Sequence, residues 1–324
     1  MERKPEHPTL LDGVAADLGG PRTMAFLDKC ERLIPWDALA RSVADVFPRP
    51  ARGEVSRGGR PHWPVLLYVK CLMLQKWFGL SDPQLEEHLR DRISFRRFAG
   101  LGLSEPTPDE TSMVVFRRRL REAGHERTLF KAVNRRLDKL GLILHTGTLV
   151  DASIQEAPRG RTRDDGTRTR DAEASFTKKS GRTYHGYKSH IATDRRGVVK
   201  DFRFTTAKVH DSRCIDELIR KEKKLVVADS AYMDQDREER LLRRGVCFGV
   251  VKRRVRGQAE LPHWQQTLNR AWATLRAAVE HPFAWMRNMG YRKVRYRGLA
   301  RNALDFGLLA AAYNLKRSFS LRDA

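Results

Sequence analysis

The sequence has few cysteines and no long apolar run, and both shortages exclude classes of protein. Its four cysteines, Cys30, Cys71, Cys214 and Cys247, form no C-x-x-C pair, so neither a zinc site nor a disulfide framework is indicated. No stretch reaches the ~20 apolar residues of a membrane-spanning helix. The opening segment, MERKPEHPTLLDG, contains charges and prolines where a signal peptide has an apolar region. We therefore expect a soluble, cytoplasmic protein.

Acidic residues are scarce relative to basic ones. The 324 residues include 63 Lys and Arg but 40 Asp and Glu, which gives a formal net charge of +23. Such an excess repels itself unless a polyanion neutralises it, and nucleic acid releases counterions when its phosphates are neutralised. The charge therefore favours a nucleic-acid partner over an anionic membrane, for which no lipidation motif is present. A genome rich in G and C also enriches arginine, so charge alone does not decide the function.

The chain divides into two regions of different pattern. At about 150 residues per domain, its length predicts roughly two domains. Residues 1–145 show helical spacing and many arginines, so we predict an all-helical, basic domain there. Residues 146–324 alternate short strand-like runs with helical ones, in the order βββαβαβαα. The second region is therefore predicted to be an α/β domain.

Two predicted helices in the first region begin with capping chemistry. Residues 81–84, SDPQ, and 107–110, TPDE, each fit a capping box. The second helix, about 108–123, carries Arg117 and Arg118. An arginine-rich second helix fits a helix-turn-helix unit that enters a DNA groove. The same pattern fits a helix bundle with a solvated arginine face equally well.

A charged segment without periodicity separates the first two predicted strands. Residues 157–183 contain many charges and few apolar side chains, so we predict a mobile basic loop. Such a loop either follows a phosphate backbone or is a tolerated surface insertion.

Carboxylates stand at the ends of two predicted strands. Asp151 follows the apolar run TLV and Asp229 follows VVA. Taken alone, Asp229 is explained by a turn or by helix capping. If the two strands are neighbours in one sheet, however, the two carboxylates repel each other unless a cation joins them. Oxygen ligands of this kind are those that Mg²⁺ prefers.

A third carboxylate is expected from a helix packed over the sheet. Glu280 shares a helix face with Arg276 and Arg287, because positions four and eleven apart lie within about 40° of each other. The alternative for Arg276 and Glu280 is an ordinary i,i+4 salt bridge of about 0.3 kcal/mol. Pro282 is predicted to kink or break this helix.

These motifs together resemble the RNase H-like core of DDE transposases. The carriers of the resemblance are VDASIQEAP, YHGYKSHIATD, KVHDS, VVADSAYMD and VEHPFAWMRNMGYRKVRYRGLARN. Their pattern is similar to that of the insertion-sequence transposases whose third motif reads Y-(2)-R-(3)-E-(6)-K, over about residues 55–315. Ala273 and Arg287 depart from it, since the signature has Tyr and Lys at those positions.

The resemblance implies a fold, a metal site and a reaction. The fold is an RNase H-like mixed sheet flanked by helices, preceded by a helical domain that binds DNA ends. Asp151, Asp229 and Glu280 are implied to hold two Mg²⁺ ions, with Mn²⁺ as a substitute. The implied reaction is hydrolysis at transposon ends, followed by attack of the freed 3′-OH on target DNA.

Seven basic side chains are predicted to contact this DNA. They are Arg276, Arg287, Lys188, Arg292, Lys293, Arg117 and Arg118. The expected partners are double-stranded DNA, as transposon ends and target, and a second copy of the chain, because two ends must be joined. Association with the nucleoid follows from DNA binding. Two alternatives stay open: a nuclease that cuts without joining, and an inactive DNA-binding repressor.

Overall fold

The chain divides into two units, and the division falls within a helix. A computed structural model describes residues 22–47, 61–161, 164–165, 169–252, 254 and 260–322. The units span residues 1–133 and 134–324. The helix Thr128–Lys139 crosses this division. The domain bounds predicted from the sequence, 1–145 and 146–324, stay a prediction.

The described part of the first unit is built from helices. Their bounds are Arg22–Leu33 (α1), Trp36–Arg41 (α2), Val65–Phe78 (α3), Asp82–Asp91 (α4), Ile93–Ala99 (α5), Glu110–Glu122 (α6) and the start of Thr128–Lys139 (α7), with a 3-10 turn at Ala44–Val46. Helix α3 is apolar on nearly every side and is buried along most of its length, as predicted. It ends at Gly79, whose φ of +69° is the left-handed conformation that glycine adopts readily.

The two predicted capping boxes have different outcomes. The first is confirmed: the Ser81 hydroxyl accepts a hydrogen bond from the Gln84 N–H, and Gln84 Oε1 accepts one from the Ser81 N–H at 2.9 Å. The second is wrong, because α6 begins at Glu110. Its N-cap is Asp109, whose carboxylate accepts a hydrogen bond from the Ser112 N–H at 2.7 Å. The carboxylate of an Asp N-cap accepts from a free N–H of the first helical turn, as a threonine hydroxyl at an N-cap also does.

The helix-turn-helix interpretation of the first unit does not hold. Helices α4 and α6 are separated by α5 and by residues 100–109, whereas that motif needs a turn of about three or four residues. Arg117 of α6 has a side chain only 8% exposed; it forms an ion pair with Asp82 and donates a hydrogen bond to Gln75 at 3.2 Å. The Arg117 side chain is therefore engaged within the protein, and its contact with DNA stays a prediction. Arg118 lies exposed on the surface beside Glu122, as in a bundle with a solvated face.

The second unit is a mixed sheet flanked by helices, which confirms the predicted fold class. Its strands are Thr148–Glu156 (β1), Ser175–Lys179 (β2), Arg182–Thr193 (β3), Val199–Thr206 (β4), Leu225–Ala228 (β5) and Cys247–Val250 (β6). Its further helices are Asp211–Leu218 (α8), Gln235–Arg243 (α9), His263–Asn288 (α10) and Leu299–Arg322 (α11), with a 3-10 turn at Ser230–Tyr232. β1 is central: β3 pairs with it antiparallel and β5 pairs with it parallel. β6 continues the parallel side, and β2 and β4 both pair with β3.

The core of this unit explains the apolar runs of the sequence. All four residues of β5 are buried, as expected of a parallel strand covered on both faces. On one face, Ile215, Tyr232 and Leu241 pack against β1 and β5. From α11, Phe306 contacts Phe202 of β4 edge to face, with ring centroids 5.2 Å apart. Burial of such a side chain stabilises the fold by about 1.5–3 kcal/mol.

The segment 157–183 is not a structureless loop throughout. Ser175–Lys179 forms β2, which pairs antiparallel with the first residues of β3. Ser180 and Gly181 join them with φ of +48° and +79°, the pair of positive angles that a type I′ hairpin turn requires. The sequence analysis did not predict β2, because Lys178 and Lys179 make this strand resemble the charged segment around it. Residues 162, 163 and 166–168 of the predicted loop lie outside the described residues.

The predicted effect of Pro282 on its helix is also corrected. Helix α10 continues through Pro282, which loses a single backbone hydrogen bond while Val279, Phe283 and Met286 stay buried around it.

The N-cap of α8 is His210, whose Nδ1 accepts a hydrogen bond from the Ser212 N–H.

The structure describes the surroundings of the four cysteines and the lengths of the helices. Cys30, Cys71, Cys214 and Cys247 are free, and all but Cys247 are buried as small apolar side chains. Among the described helices, none has the length and apolar content to cross a bilayer.

The burial of Arg117 predicts a contrast with its neighbour Arg118. Arg117→Leu leaves the half-buried Asp82 without its cation, so we expect the free energy of unfolding to fall by about 3 kcal/mol. Arg118→Leu, at an exposed position, should change it by less than about 0.5 kcal/mol. Urea unfolding of the full chain, followed by tryptophan fluorescence, measures both. Equal losses would contradict an interior role for Arg117.

Candidate active site

Asp151 and Asp229 lie on neighbouring parallel strands. β1 pairs with β5 through Thr148–Val226 and Leu149–Val227, and Asp229 follows β5 directly. Continuing this register by two residues brings Asp151 level with Asp229. Asp151 does not end its strand as predicted, because the antiparallel pairing with β3 carries β1 on to Glu156. The pairing of β1 with β5 ends at Leu149, two residues before Asp151.

A guanidinium lies between the two carboxylates. Arg276 Nη2 is 3.6 Å from Asp151 Oδ2, and Arg276 Nη1 is 3.8 Å from Asp229 Oδ1. The Arg276 side chain is 18% exposed, and its buried Nε has no hydrogen-bond partner among the described residues. Arg276 therefore offsets the repulsion between two adjacent carboxylates. It was predicted to contact DNA; its partners in the structure are the two aspartates.

Close packing of α10 on the sheet sets the position of Arg276. Trp272, one turn before it, lies against Gly249 of β6, where an added Cβ would meet the indole ring at 2.8 Å. Val279, in the following turn, is completely buried. A side chain at position 249 would therefore displace the helix that carries Arg276.

Burial raises the pKa of the Asp151 carboxyl above its ordinary value of 3.8. The N–H of Ala152, which donates to Asp151 Oδ1 at 2.8 Å, and the charge of Arg276 oppose that rise. The nearby Asp229 adds to it by like-charge repulsion. A cation bound at this pair would favour the ionised form of both carboxylates.

Asp229 is also held by the turn that follows it. Its Oδ1 accepts hydrogen bonds from the Ser230 N–H at 2.6 Å and the Ser230 hydroxyl at 3.1 Å. The buried Arg237 fixes this turn, because it donates hydrogen bonds to the Tyr232 carbonyl at 2.9 Å and to Asp216 at 2.9 Å. Asp229 thus caps a short helical turn, as the simple interpretation of its position predicts, and it also lies level with Asp151. Its role as a metal ligand stays a prediction.

Glu280 stands apart from the aspartate pair. It is exposed on α10, one turn beyond Arg276. Within the described residues, no three His, Cys, Asp or Glu side chains converge closely enough to hold a metal ion. Asp151 and Asp229 provide hard oxygen donors that already face a positive charge, so the pair fits two ligands of a divalent-cation site. The structure does not bring the third predicted ligand to it.

A polar cluster on β3, which the sequence did not predict as a unit, engages Lys188. Lys188 Nζ donates to Asp211 at 3.0 Å and to the Val209 carbonyl at 3.1 Å, and its side chain is 12% exposed. The Lys188 side chain is therefore engaged within the protein, and its contact with DNA stays a prediction. His190, two residues on, is fully buried, and this desolvation lowers its pKa to about 4, so the ring is neutral. The period-two spacing of Lys188 and His190 was the signal available.

The basic stretch after α10 lies beside the end of β1. The Glu156 N–H donates to the Arg292 carbonyl at 3.0 Å, and the Val294 N–H donates to the Glu156 carbonyl at 2.9 Å. The side chains of Arg292 and Lys293 are exposed, as is that of Arg287 on α10. These three predicted DNA contacts are thus accessible.

Comparison with known protein families identifies the family of this chain. Residues 143–315 match the family model described as a transposase DDE domain. The chain belongs to this transposase family. Residues 20–119 match a second model, described as a transposase domain (DUF772), which confirms the recognition of an insertion-sequence transposase. No solved structure gives a significant match.

The bridging position of Arg276 predicts that a metal ion can replace it in this transposase. Arg276→Gln leaves two adjacent carboxylates without a cation, so the free energy of unfolding should fall by about 1 kcal/mol. The unfolding temperature should fall with it. Added Ca²⁺ or Mg²⁺ should then stabilise the variant more than the wild type, because a bound ion favours the folded state.

Thermal unfolding with and without the ions measures this effect. Arg270→Gln, an exposed arginine on the same helix, is the matched control. Identical ion-dependent shifts in wild type and Arg276→Gln would contradict the account.

Proposed function

We propose that this transposase hydrolyses a phosphodiester bond at each end of its element and transfers the freed 3′-OH into target DNA. The observation that supports it most is the Asp151–Asp229 pair, fixed on neighbouring strands inside the DDE domain and balanced by Arg276. Rigid strands suit such a pair, because catalytic ligands must keep their geometry to within about 0.5 Å.

We further propose that Asp151 and Asp229 hold Mg²⁺, with Mn²⁺ as a substitute, and that Glu280 completes a two-ion site. Such ions, when bound, make water or a 3′-OH a better nucleophile and stabilise the leaving oxygen. The chain's own part is positional. Asp151 and Asp229 supply the oxygens, and the guanidinium of Arg276, once released from them, has the fork geometry that grips a phosphate.

The DNA contacts proposed for this reaction are the exposed basic side chains. Arg287, Arg292 and Lys293 follow the helix that carries Glu280, and Arg118 lies on the first unit. With a net charge of +23, the chain suits transposon ends and target duplex as its partners. We propose that it acts in the cytoplasm, bound to the nucleoid, and that a second copy joins the two ends.

Replacement of Asp229 separates catalysis from binding. Asp229→Asn keeps the side-chain size but removes a charge that a metal ligand needs, so cleavage should fall by at least about 10²-fold. Affinity for DNA should change little, since a carboxylate adds nothing to phosphate binding. Cleavage and strand transfer on labelled duplex, beside a binding titration, measure both.

The outcomes of this assay also separate the rival functions. Equal loss of binding and cleavage would make Asp229 structural. Cleavage without joining of precut ends would favour a nuclease, and binding without either reaction would favour a repressor.

Arg287 offers a second test, because it stands where the family signature has Lys. If it contacts a phosphate, Arg287→Ala should reduce the slope of log affinity against log salt by about one unit. Arg287→Lys should retain most of the slope. The exposed Arg270→Ala serves as a control on the same helix. An unchanged slope in Arg287→Ala would leave Arg287 as a solvated helix charge.

A further inference from the structure

The β2–β3 hairpin extends beyond the strands that surround it. Among the described strands, residues 182–185 of β3 pair with β2 alone, whereas the remainder of β3 pairs with β1 or β4. The tight turn at Ser180 and Gly181 closes the hairpin at its tip. This hairpin is therefore a two-stranded arm at the edge of the sheet.

The base of this arm is fixed by side-chain hydrogen bonds. The Tyr187 hydroxyl donates to Asp171 at 2.6 Å, and the Lys208 N–H donates to the Ser175 hydroxyl at 2.8 Å. The Arg159 guanidinium donates to the Thr183 carbonyl at 2.8 Å. The arm is thus held before any partner binds.

The arm carries positive charge and no negative charge. Its sequence from 175 to 186, SFTKKSGRTYHG, contains Lys178, Lys179 and Arg182 but no Asp or Glu. All three are exposed, and within the described residues none of them forms an ion pair. Charges that the protein leaves without partners suit an external anion.

Two of these cations face each other across the strands. Lys179 pairs directly with Arg182, and Thr177 pairs with Tyr184, so these four side chains share one face of the arm. Like charges directly opposite each other destabilise a hairpin unless an anion lies between them. Lys178, opposite Thr183, points to the other face.

An aromatic side chain lies next to these two cations. Tyr184 follows Arg182 by two residues, so it lies on the same face of the arm, and it is partly exposed. A phosphate between Lys179 and Arg182 would meet two cations at once.

We propose that the β2–β3 arm is a phosphate clamp for the DNA that this transposase binds, in which Lys179 and Arg182 contact one phosphate and Tyr184 lies beside them. This inference rests on the proposed function, because it adds a contact to the same DNA substrate. Its role is positional, and the contact is independent of base sequence.

The salt dependence of DNA binding tests the clamp. The probe is a fluorescein-labelled duplex of about 30 base pairs, whose anisotropy is titrated with the full chain at several salt concentrations in Ca²⁺. The double variant Lys179→Gln/Arg182→Gln should reduce the slope of log affinity against log salt by about one unit. Lys178→Gln, next in the chain but on the other face, should leave the slope unchanged.

Stability provides a second measurement. The unfolding temperature of the double variant should equal or exceed that of the wild type, because the substitutions remove a repulsion. An unchanged slope in the double variant, an equal reduction in Lys178→Gln, or a lowered unfolding temperature would overturn the clamp. Cleavage by the wild type on the same DNA is scored separately, so a chain that never cleaves would refute the proposed function while the slopes still judge the clamp.

Discussion

Two carboxylates side by side in one sheet are the constraint on which the second unit depends. Like charges at this spacing disfavour each other's ionisation, and burial adds to that cost at Asp151. A positive charge must therefore be present, and in this structure the guanidinium of Arg276 provides it by contacting both aspartates. The surrounding features, including the glycine under Trp272 and the turn after Asp229, keep the carboxylates and this charge together.

The same constraint connects stability with chemistry. Arg276 contacts each carboxylate at a distance near the limit of an ion pair, and its Nε lacks a partner, so the guanidinium is held less firmly than that of Arg237. A guanidinium held in this way can be displaced from the carboxylates by a more highly charged cation and can then bind a phosphate. Arg276 thus offsets the repulsion between the two carboxylates, and under the proposed function a metal ion and a DNA phosphate replace its contacts.

The sequence predicted those features that local pattern determines. The buried run before Asp229 located β5, and the serine at 81 located the start of α4, because strand burial and capping act within a few residues. It could not distinguish Arg117 from Arg118, since burial depends on Asp82 and Gln75 far along the chain. Nor could it place Asp151 within a long strand, because that length is set by pairing with β3. The partners of Arg276 likewise exist only after folding.

Direct measurement of metal binding tests the central claim, that Asp151 and Asp229 form the cation site. Electron paramagnetic resonance of Mn²⁺ titrated with the full chain counts bound ions without any need for DNA or turnover. We predict that the wild type binds Mn²⁺ and that Asp151→Ala/Asp229→Ala abolishes this binding while the fold is retained. Equal binding of Mn²⁺ by the double variant and the wild type would contradict the account.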